Sequence, residues 1–297
     1  EELGRHDLAR QRLREVRRSD PLSWYGLRAG EELGETFWDT PMEAAPPRDP
    51  TIDGEVDRAL VRLDLLRELG EEDAATFELE RLKRHFLRRD GALYSLAEAF
   101  NERGFTFTGI RLGWEIQRRE GIWNPRLLRI IYPFPYRNLI MAEARERGLD
   151  PYLVAGLIRQ ESMFSASIKS HAGAVGLMQI MPNTGKSLAQ TAGIGTCQTS
   201  LLEQPEVNIH LDTRYMAELM SRYNNRLTSV LAAYNAGPHR VSRWSAFPEY
   251  RDEELFAERI PYAETRDYVK IVQQNARVYA ALYDDAAADV TAPAQDS

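Results

Sequence analysis

The chain has 297 residues, which is enough for two ordinary domains with large hydrophobic cores. Its content of 43% hydrophobic and 28% charged residues excludes general disorder, and no apolar run approaches the roughly 20 residues that a membrane-spanning helix needs. The net charge of −7 argues against nucleic acid as a partner, because such binding takes a basic face.

Helical patterns fill the N-terminal part of the chain. After a proline-rich break at 40–53, residues 55–69 predict a helix, and Gly70 follows it as a C-cap. The positions on one face of this helix recur at helical spacing: Val56, Leu60, Leu63 and Leu66 or Arg67.

Further short helices follow, joined by tight turns. Asp73 begins one of them, and another ends at Gly104. Because helical hairpins of this kind stack into superhelical arrays, we predict such an array over residues 1–137, itself a fragment of a longer array in one interpretation. A second break at 131–137, with prolines among aromatic residues, predicts the domain boundary.

The next predicted helix carries the most informative residue of the chain. Asp150 and Pro151 are an N-cap acceptor and a first-turn proline, which together predict a helix start. Glu161 takes the next place on the buried stripe of this helix. A buried carboxylate is costly unless it is paired or protonated, so we expect a chemical role for it. The stripe before it is apolar and consists of Leu153, Val154, Leu157 and Ile158.

The stretch after Glu161 is free of acidic residues. From Ser162 to Leu202 there is no Asp or Glu, although the chain has 45 of them. Its centre, GAVGLMQIMP at 173–182, combines glycines, which let backbone approach a ligand closely, with an amide that can orient a polar one. This combination predicts the floor of a cleft. At the other end of the domain, residues 286–297 lack periodicity and predict a disordered tail.

Cysteine and histidine point to no cofactor. The only cysteine, Cys197, cannot form an intramolecular disulfide and is expected to be an inert packing residue. The five histidines show no metal-ligand spacing, so we expect neither a metal nor another cofactor. The N-terminal residues lack the cationic start and apolar segment of a signal peptide, so any export signal is expected to have been removed or left out.

Three sequence blocks, in order, resemble the soluble lytic transglycosylases. They are RQESMFSASIKSHAGAVGLMQIMP at 159–182, AAYNAGPHRV at 232–241 and ERIPYAETRDYV at 258–269. The resemblance implies an all-α fold, with a helical superhelical array followed by a lysozyme-like, mainly helical catalytic domain over 138–285. It further implies a domain that cleaves peptidoglycan between N-acetylmuramic acid and N-acetylglucosamine.

The resemblance also implies roles for single residues. Glu161 is expected to be the only acid/base residue. The residues at matching places in the blocks are expected to line the saccharide and peptide subsites: Ser170, Gly176, Gln179, Met181, Tyr234, Asn235 and Glu264. All of these except Gly176 also have a purely structural interpretation, as a core side chain, a turn, a helix end or, for Glu264, a surface charge early in a helix.

A single carboxylate fits a particular chemistry. Most glycosidases use two carboxylates, one as acid and one as nucleophile or base. With one carboxylate, the substrate must supply the nucleophile. The 2-acetamido oxygen of the muramic acid can attack the anomeric carbon, and the six-position hydroxyl can then close a 1,6-anhydro ring. Glu161 would first donate a proton and then accept one.

Two alternatives remain open at this stage. A hydrolytic goose-type lysozyme would need a second carboxylate to hold a water molecule, and the sequence cannot place the candidates Glu203, Glu206, Asp212 and Glu264. A non-catalytic peptidoglycan-binding scaffold would need no glutamate in the motif at all.

The resemblance predicts partners and location as well. Peptidoglycan glycan strands are the expected partner, together with cell-wall synthesis or assembly proteins that bind the N-terminal array. We expect a monomer in the periplasm or another extracytoplasmic space, free or attached to the envelope.

Overall fold

The computed structural model describes residues 6–89, 91–194 and 198–284. In these residues, sheet pairing is limited to two isolated β-bridges between 169 and 180, and helices make up the remaining regular structure. The all-α prediction is therefore confirmed. Cys197 and the tail predicted over 286–297 lie outside the described residues.

The chain divides into two compact units. The first, called the split unit here, combines the residues up to Thr40 with those from Tyr136 onward, and the second, the inserted unit, is Pro41–Pro135. The return to the split unit falls within the proline-bearing segment 131–137. The array predicted over 1–137 stays a prediction, since its first helices group with the split unit.

The inserted unit consists of successive helices that pack on one another. Asp49 caps its first helix by accepting a hydrogen bond of 2.8 Å from the Thr51 N–H. The proline-rich break predicted to reach residue 53 is therefore too long, because Asp49 and Pro50 form a helix start like Asp150 and Pro151. The helices are α3 (Pro50–Glu68), α4 (Glu72–Phe86), α5 (Ala92–Glu102), α6 (Thr106–Glu120) and α7 (Pro125–Ile131).

In the described residues, the split unit begins with two helices and resumes with eight more. The first pair is α1 (His6–Ser19) and α2 (Trp24–Leu33), followed by a 3-10 turn at Phe37–Asp39. After the inserted unit come α8 (Arg137–Arg147), α9 (Pro151–Ser162), α10 (Pro182–Thr191), α11 (Pro205–Arg222), α12 (Leu227–Ala236), α13 (Pro238–Trp244), α14 (Glu253–Arg259) and α15 (Ala263–Tyr283), with 3-10 turns at Thr199–Glu203 and Pro248–Arg251. Of the helices in the described ranges, none has both the length and the apolar character to cross a membrane.

A buried arginine joins α1 to the end of α2. The Arg17 guanidinium is 5% exposed and donates to the carbonyls of Pro21 at 2.8 Å and Thr36 at 3.1 Å. These bonds satisfy a charge that would otherwise be costly to bury. Helix α2 then packs against α15, the longest helix of the split unit.

The packing of α9 against α15 forms the centre of the split unit. Gly156 makes the approach possible, because a Cβ at this position would lie 2.8 Å from the backbone nitrogen of Ala276. The Asn275 side chain, 1% exposed, donates to the Gly156 carbonyl over 3.1 Å. This contact holds the middle of α9 close against α15.

Candidate active site

Glu161 lies in the last turn of α9. The helix starts as predicted, because the Asp150 carboxylate accepts a hydrogen bond of 2.8 Å from the Tyr152 N–H. The four apolar residues of the predicted stripe are all buried, and Glu161 at its end is partly buried. Burial raises the pKa of Glu161 to about 7, because a desolvated carboxyl group favours its neutral form.

Two residues of α15 act on this carboxyl group in opposite directions. The Tyr268 hydroxyl donates to Glu161 Oε1 over 2.6 Å, which lowers the pKa of Glu161 by stabilising its charged form. The negative charge of Glu264, one turn earlier on α15, raises that pKa. Glu161 is thus set to be protonated in mildly acidic solution, with one oxygen held in place.

A tight turn lies beside the end of α9. The Ser162 hydroxyl donates to the Leu177 carbonyl over 2.7 Å. From α11, the fully buried Asn208 accepts a bond of 2.8 Å from the Met178 N–H and donates to the Val175 carbonyl over 3.0 Å. These bonds hold residues 175–178, part of the predicted cleft floor, between the end of α9 and α11.

Gly176 and Gln179 both belong to this turn. Gly176 has a φ of +83°, and a Cβ there would lie 2.2 Å from the Leu202 carbonyl and 2.3 Å from the Asn208 amide, so the internal packing of the protein requires this glycine. Gln179 has a φ of +53°, which is uncommon outside glycine and is often found at functional sites. Its amide donates to the Gly176 carbonyl over 2.9 Å.

Tyr234 connects α12 to the turn and to a buried acid. Its hydroxyl lies 2.7 Å from the Met178 carbonyl oxygen and also contacts the Asp212 carboxyl. The ring is nearly parallel to that of Tyr268, at 10° and a centroid distance of 6.4 Å. Glu161, Tyr268, Tyr234 and Asp212 therefore follow one another across the site.

Four of the predicted lining residues lie further from these contacts or at their margin. Ser170 is exposed, and its hydroxyl accepts a bond of 3.0 Å from the Ala174 N–H within a local turn. Met181, immediately before α10, is 44% exposed. Asn235 accepts a bond of 2.7 Å from the Thr265 hydroxyl, which links α12 to α15. Glu264 is exposed in the first turn of α15, where its charge reaches Glu161.

The sequence analysis did not assign two residues, Tyr268 and Asp212, to this site. Tyr268 follows Glu264 by one helical turn in the third block, so both lie on the face of α15 that Glu161 meets. Asp212 lies on α11 between the fully buried Ile209 and Met216, at spacings of three and four residues. A carboxylate on an apolar helical stripe is the signal that singled out Glu161, and it is present here too.

The surroundings of Asp212 favour its neutral form. It is 3% exposed, and burial raises the pKa of Asp212 to about 8. The hydrogen bond with Tyr234 lowers that pKa, and the negative charge of Glu161 raises it. The pKa values of Tyr234 and Tyr268 are also raised, first of all by burial, so both hydroxyls keep their protons.

The described residues offer no cluster that suits a metal ion. Within 6–89, 91–194 and 198–284, no group of three or more His, Cys, Asp or Glu side chains is arranged to hold one.

Comparisons with known proteins agree with the geometry. The model of the family described as Transglycosylase SLT domain matches residues 138–256. The soluble lytic murein transglycosylase of Salmonella typhimurium is 36% identical over 154 residues, which cover 51% of this chain and 23% of that protein. The membrane-bound lytic murein transglycosylase C of Cronobacter sakazakii is 30% identical over 167 residues, which cover 48% of this chain and 46% of that protein.

Solved structures resemble the chain over a greater length. An inactive variant of the lytic transglycosylase Slt of Pseudomonas aeruginosa has a TM-score of 0.73 and 29% identity, covering 90% of this chain and 42% of that chain. The 70-kDa soluble lytic transglycosylase of Escherichia coli has a TM-score of 0.77 and 25% identity, covering 94% and 44%.

These matches show which proteins the chain resembles and what share of their length it covers. The chain spans about a quarter of the length of the first soluble curated relatives and less than half of the structures it resembles. The predicted fold class, a helical array and a lysozyme-like, mainly helical domain, is confirmed. The chain therefore matches the Transglycosylase SLT domain over residues 138–256 and is similar to a soluble lytic murein transglycosylase over 154 residues.

Proposed function

We propose that the split unit cleaves peptidoglycan between N-acetylmuramic acid and N-acetylglucosamine without adding water, with Glu161 as acid and then base. One observation carries the proposal. The Glu161 carboxyl group lies in the matched domain, partly buried, with a pKa raised to about 7 and one oxygen bonded to Tyr268. A carboxyl group of this kind holds a proton at neutral pH and can still release it.

Two proton transfers complete the reaction. Protonated Glu161 donates to the oxygen that links the two sugars, while the 2-acetamido oxygen of the muramic acid bonds to the anomeric carbon and the linking bond breaks. The Glu161 carboxylate then accepts the proton of the six-position hydroxyl, whose oxygen displaces the acetamido oxygen. The result is a 1,6-anhydro ring, and Glu161 regains the proton it started with.

The seven lining residues are proposed to hold the sugar and peptide parts of the substrate. Gln179 belongs to the turn that lies against the end of α9, and Tyr234 bonds to that turn from α12. Asn235 of α12 bonds to Thr265 of α15, and the charge of Glu264 on α15 reaches Glu161. Ser170, Gly176 and Met181 are assigned to the rim on the family pattern alone. Glycan strands are thereby proposed as the substrate, and the murein in the names of the relatives agrees with this.

Hydrolysis is the second candidate, and Glu264 is the observation that favours it. Its charge reaches Glu161, so a water molecule between the two would have a second carboxylate to activate it. Asp212 is less suited to this role, because it is buried and bonded to Tyr234.

The mass of the products separates the two reactions. We expect digestion of purified peptidoglycan to release muropeptides one water lighter than their hydrolytic counterparts. Products that all carry a hydrated reducing end would replace our proposal with the lysozyme reaction.

Replacement of the proposed acid tests the role of Glu161. Glu161→Gln keeps the size and one hydrogen-bond acceptor but cannot transfer the proton, so we expect a loss of about 100-fold or more in rate. Glycan binding and the helical circular dichroism should stay. Glu218→Gln, an exposed acid on α11, is the matched control and should keep the wild-type rate. Wild-type turnover by Glu161→Gln would favour the scaffold alternative or another acid.

Location and further partners follow from the substrate. A protein that acts on peptidoglycan works outside the cytoplasm, in the periplasm or at the envelope, and we propose this location and a monomeric state. The N-terminal helices are proposed to guide glycan strands or to bind proteins of cell-wall synthesis. Loss of the inserted unit should then lower processivity on long glycan strands.

A further inference from the structure

Asp212 is a second buried acid in the same site, on a helix different from that of Glu161. It lies in α11, is 3% exposed, and its carboxyl group contacts the Tyr234 hydroxyl. Ile209 and Met216 on the same face are fully buried. A carboxyl group in such a place must be bonded, neutral, or both.

The number of protons at Tyr234 decides how Asp212 is bonded. The Tyr234 oxygen lies 2.7 Å from the Met178 carbonyl oxygen, which can only accept, and it also contacts Asp212 Oδ2. One hydroxyl has one proton and cannot serve two acceptors fully. Both contacts are satisfied when the Asp212 carboxyl group carries a proton and donates it to the Tyr234 oxygen.

The bonded pair of Asp212 and Tyr234 lies next to residues that contact Glu161, the proposed catalytic acid. The Tyr234 ring lies nearly parallel to the Tyr268 ring, whose hydroxyl donates to Glu161 over 2.6 Å. The Met178 carbonyl belongs to the turn that Ser162 ties to the end of α9. Through Tyr234, Asp212 therefore affects both the Tyr268 ring and the turn at Met178, which lie next to Glu161.

We propose that Asp212 is a positioning residue that acts in its protonated form. It donates to the Tyr234 oxygen, so that the Tyr234 hydroxyl can donate to the Met178 carbonyl and hold the turn beside Glu161 in place. This inference rests on the proposed function of the site. Burial and the negative charge of Glu161 both disfavour ionised Asp212, which agrees with the proton count.

Several charged groups on or near α11 pair with other residues. His210 and Arg147 bond to Glu143 of α8, and Lys169 pairs with Glu203 at 2.7 Å. The groups that interact electrostatically with Asp212 are Tyr234 of α12, Tyr268 of α15, Tyr215 of its own helix and Glu161 of α9.

Ionisation of Asp212 would reverse the hydrogen bond. The Tyr234 proton would turn to the new carboxylate, and the Met178 carbonyl would lose its donor. Activity on the alkaline side then depends on two protons, one on Glu161 and one on Asp212. Because the two acids interact, they titrate as a pair.

Two substitutions of Asp212 separate positioning from mere packing. Asp212→Asn imitates the protonated form and can still donate to Tyr234, so we expect kcat/KM at pH 5.5 within about threefold of the wild type. Asp212→Leu fills the space without a donor and should lose about tenfold or more. Equal losses in the two variants would overturn the proposal.

The pH profile gives a readout that packing alone would not move. Above pH 8, log kcat/KM of the wild type on soluble glycan fragments should fall with a slope steeper than −1 while Asp212 titrates, and that of Asp212→Asn with a slope near −1. Glu218→Gln, which removes one negative charge from the same helix, should keep the wild-type slope. An unchanged slope in Asp212→Asn would contradict our inference.

Thermal unfolding tests the protonation of Asp212 without any activity. A carboxyl group whose folded pKa lies above its unfolded value stabilises the protein fully below the unfolded pKa, near 3.8, and loses this contribution as the pH rises through the folded value, about 8. Since Asn does not titrate, the Tm of Asp212→Asn should rise relative to wild type between pH 4 and pH 8. Parallel Tm curves would refute the protonated state even if the enzyme proved hydrolytic or inactive.

Discussion

Glu161 has two neighbours that shift its pKa in opposite directions, and each can be removed singly. Tyr268→Phe deletes the hydroxyl that stabilises the charged carboxylate, so the pKa of Glu161 should rise above about 7. The alkaline limb of the kcat/KM profile should move to higher pH, while the rate at its plateau falls because the carboxyl is less well oriented.

The control for this change removes a hydroxyl at the other end of α9. Tyr152 donates to the Tyr283 carbonyl over 3.0 Å in the first turn of that helix. Tyr152→Phe should leave the alkaline limb in place. A shift to lower pH in Tyr268→Phe would mean that its bond to Glu161 is formed with the neutral acid.

Glu264→Gln should shift the same limb the other way. It removes the negative charge that raises the pKa of Glu161, so that pKa should fall and the alkaline limb should move to lower pH. Because Glu264 is exposed, salt should weaken the shift. Asp267→Asn, also exposed on α15, serves as control. Abolished activity in Glu264→Gln, with no such shift, would instead support a base in a hydrolytic reaction.

At the residue scale, the sequence pattern that identifies Glu161 also identifies Asp212. Glu161 was found because it interrupts an apolar stripe, and Asp212 interrupts the stripe of α11 in the same way. The acid-free stretch after Glu161 suggested an isolated carboxylate, yet Asp212 and Glu264 come from later helices. Distance along the chain does not limit which charges meet in a folded site.

At the scale of elements, the α9 and α15 contact depends on a missing side chain. Gly156→Ala would place a Cβ 2.8 Å from the Ala276 backbone nitrogen, so the two helices must separate. We expect a loss of about 1–3 kcal/mol in stability and a larger fall in activity, because Tyr268 and Glu161 face each other across this contact.

The matched control is the same substitution on another helix. At Gly54 in α3, a Cβ would meet only the flexible Arg58 side chain at 3.4 Å. Gly54→Ala should be neutral or stabilise by up to about 1 kcal/mol. Denaturant unfolding measures both variants, and equal effects would show that helix propensity, not packing, decides the result.

Helix ends were predictable where a capping pair stands in the sequence. Asp150 with Pro151 predicted the start of α9, and Asp49 with Pro50 marks the start of α3 equally well. The prediction missed the second pair because nearby prolines suggested an extended break. A proline-rich window predicts a break, whereas an Asp–Pro pair predicts a helix start. The pair is the better guide here, because Asp caps the first turn and Pro fits into it.

For the whole molecule, a lysine of α15 holds α2 to the later helices of the split unit. Lys270 is 8% exposed and lies 2.7 Å from both the Tyr25 hydroxyl and the Glu258 carboxylate. Its ammonium also lies 5.5 Å from the ring centre of Trp24. Arg277 adds a bond of 2.6 Å to Glu31 of α2.

Lys270→Met tests this attachment. The side chain keeps its length but loses the charge that Glu258 and the two rings contact. We expect faster amide hydrogen exchange in α2, with little change in the helices of the inserted unit. Lys186→Met, exposed on α10, should leave exchange in α2 as it is. Unchanged protection of α2 in Lys270→Met would show that apolar packing suffices.

This attachment was beyond sequence reasoning. Tyr25 and Lys270 are ordinary residues in their own segments, and no periodicity relates two positions so far apart. The array over 1–137 was predicted from local helices alone, so α1 and α2 were assigned with their neighbours in sequence.

The division of the chain has a consequence for synthesis on the ribosome. Helix α2 buries Trp24 and Leu27, and its partner α15 begins only at Ala263. At the usual rate of roughly 5–20 residues per second, α2 must wait on the order of 10 to 50 seconds for that partner. The inserted unit is complete well before then and can fold first. Until then α2 has only α1 to pack on, and its side chains that later meet α15 stay exposed, so in this interval we expect the nascent chain to depend on chaperones.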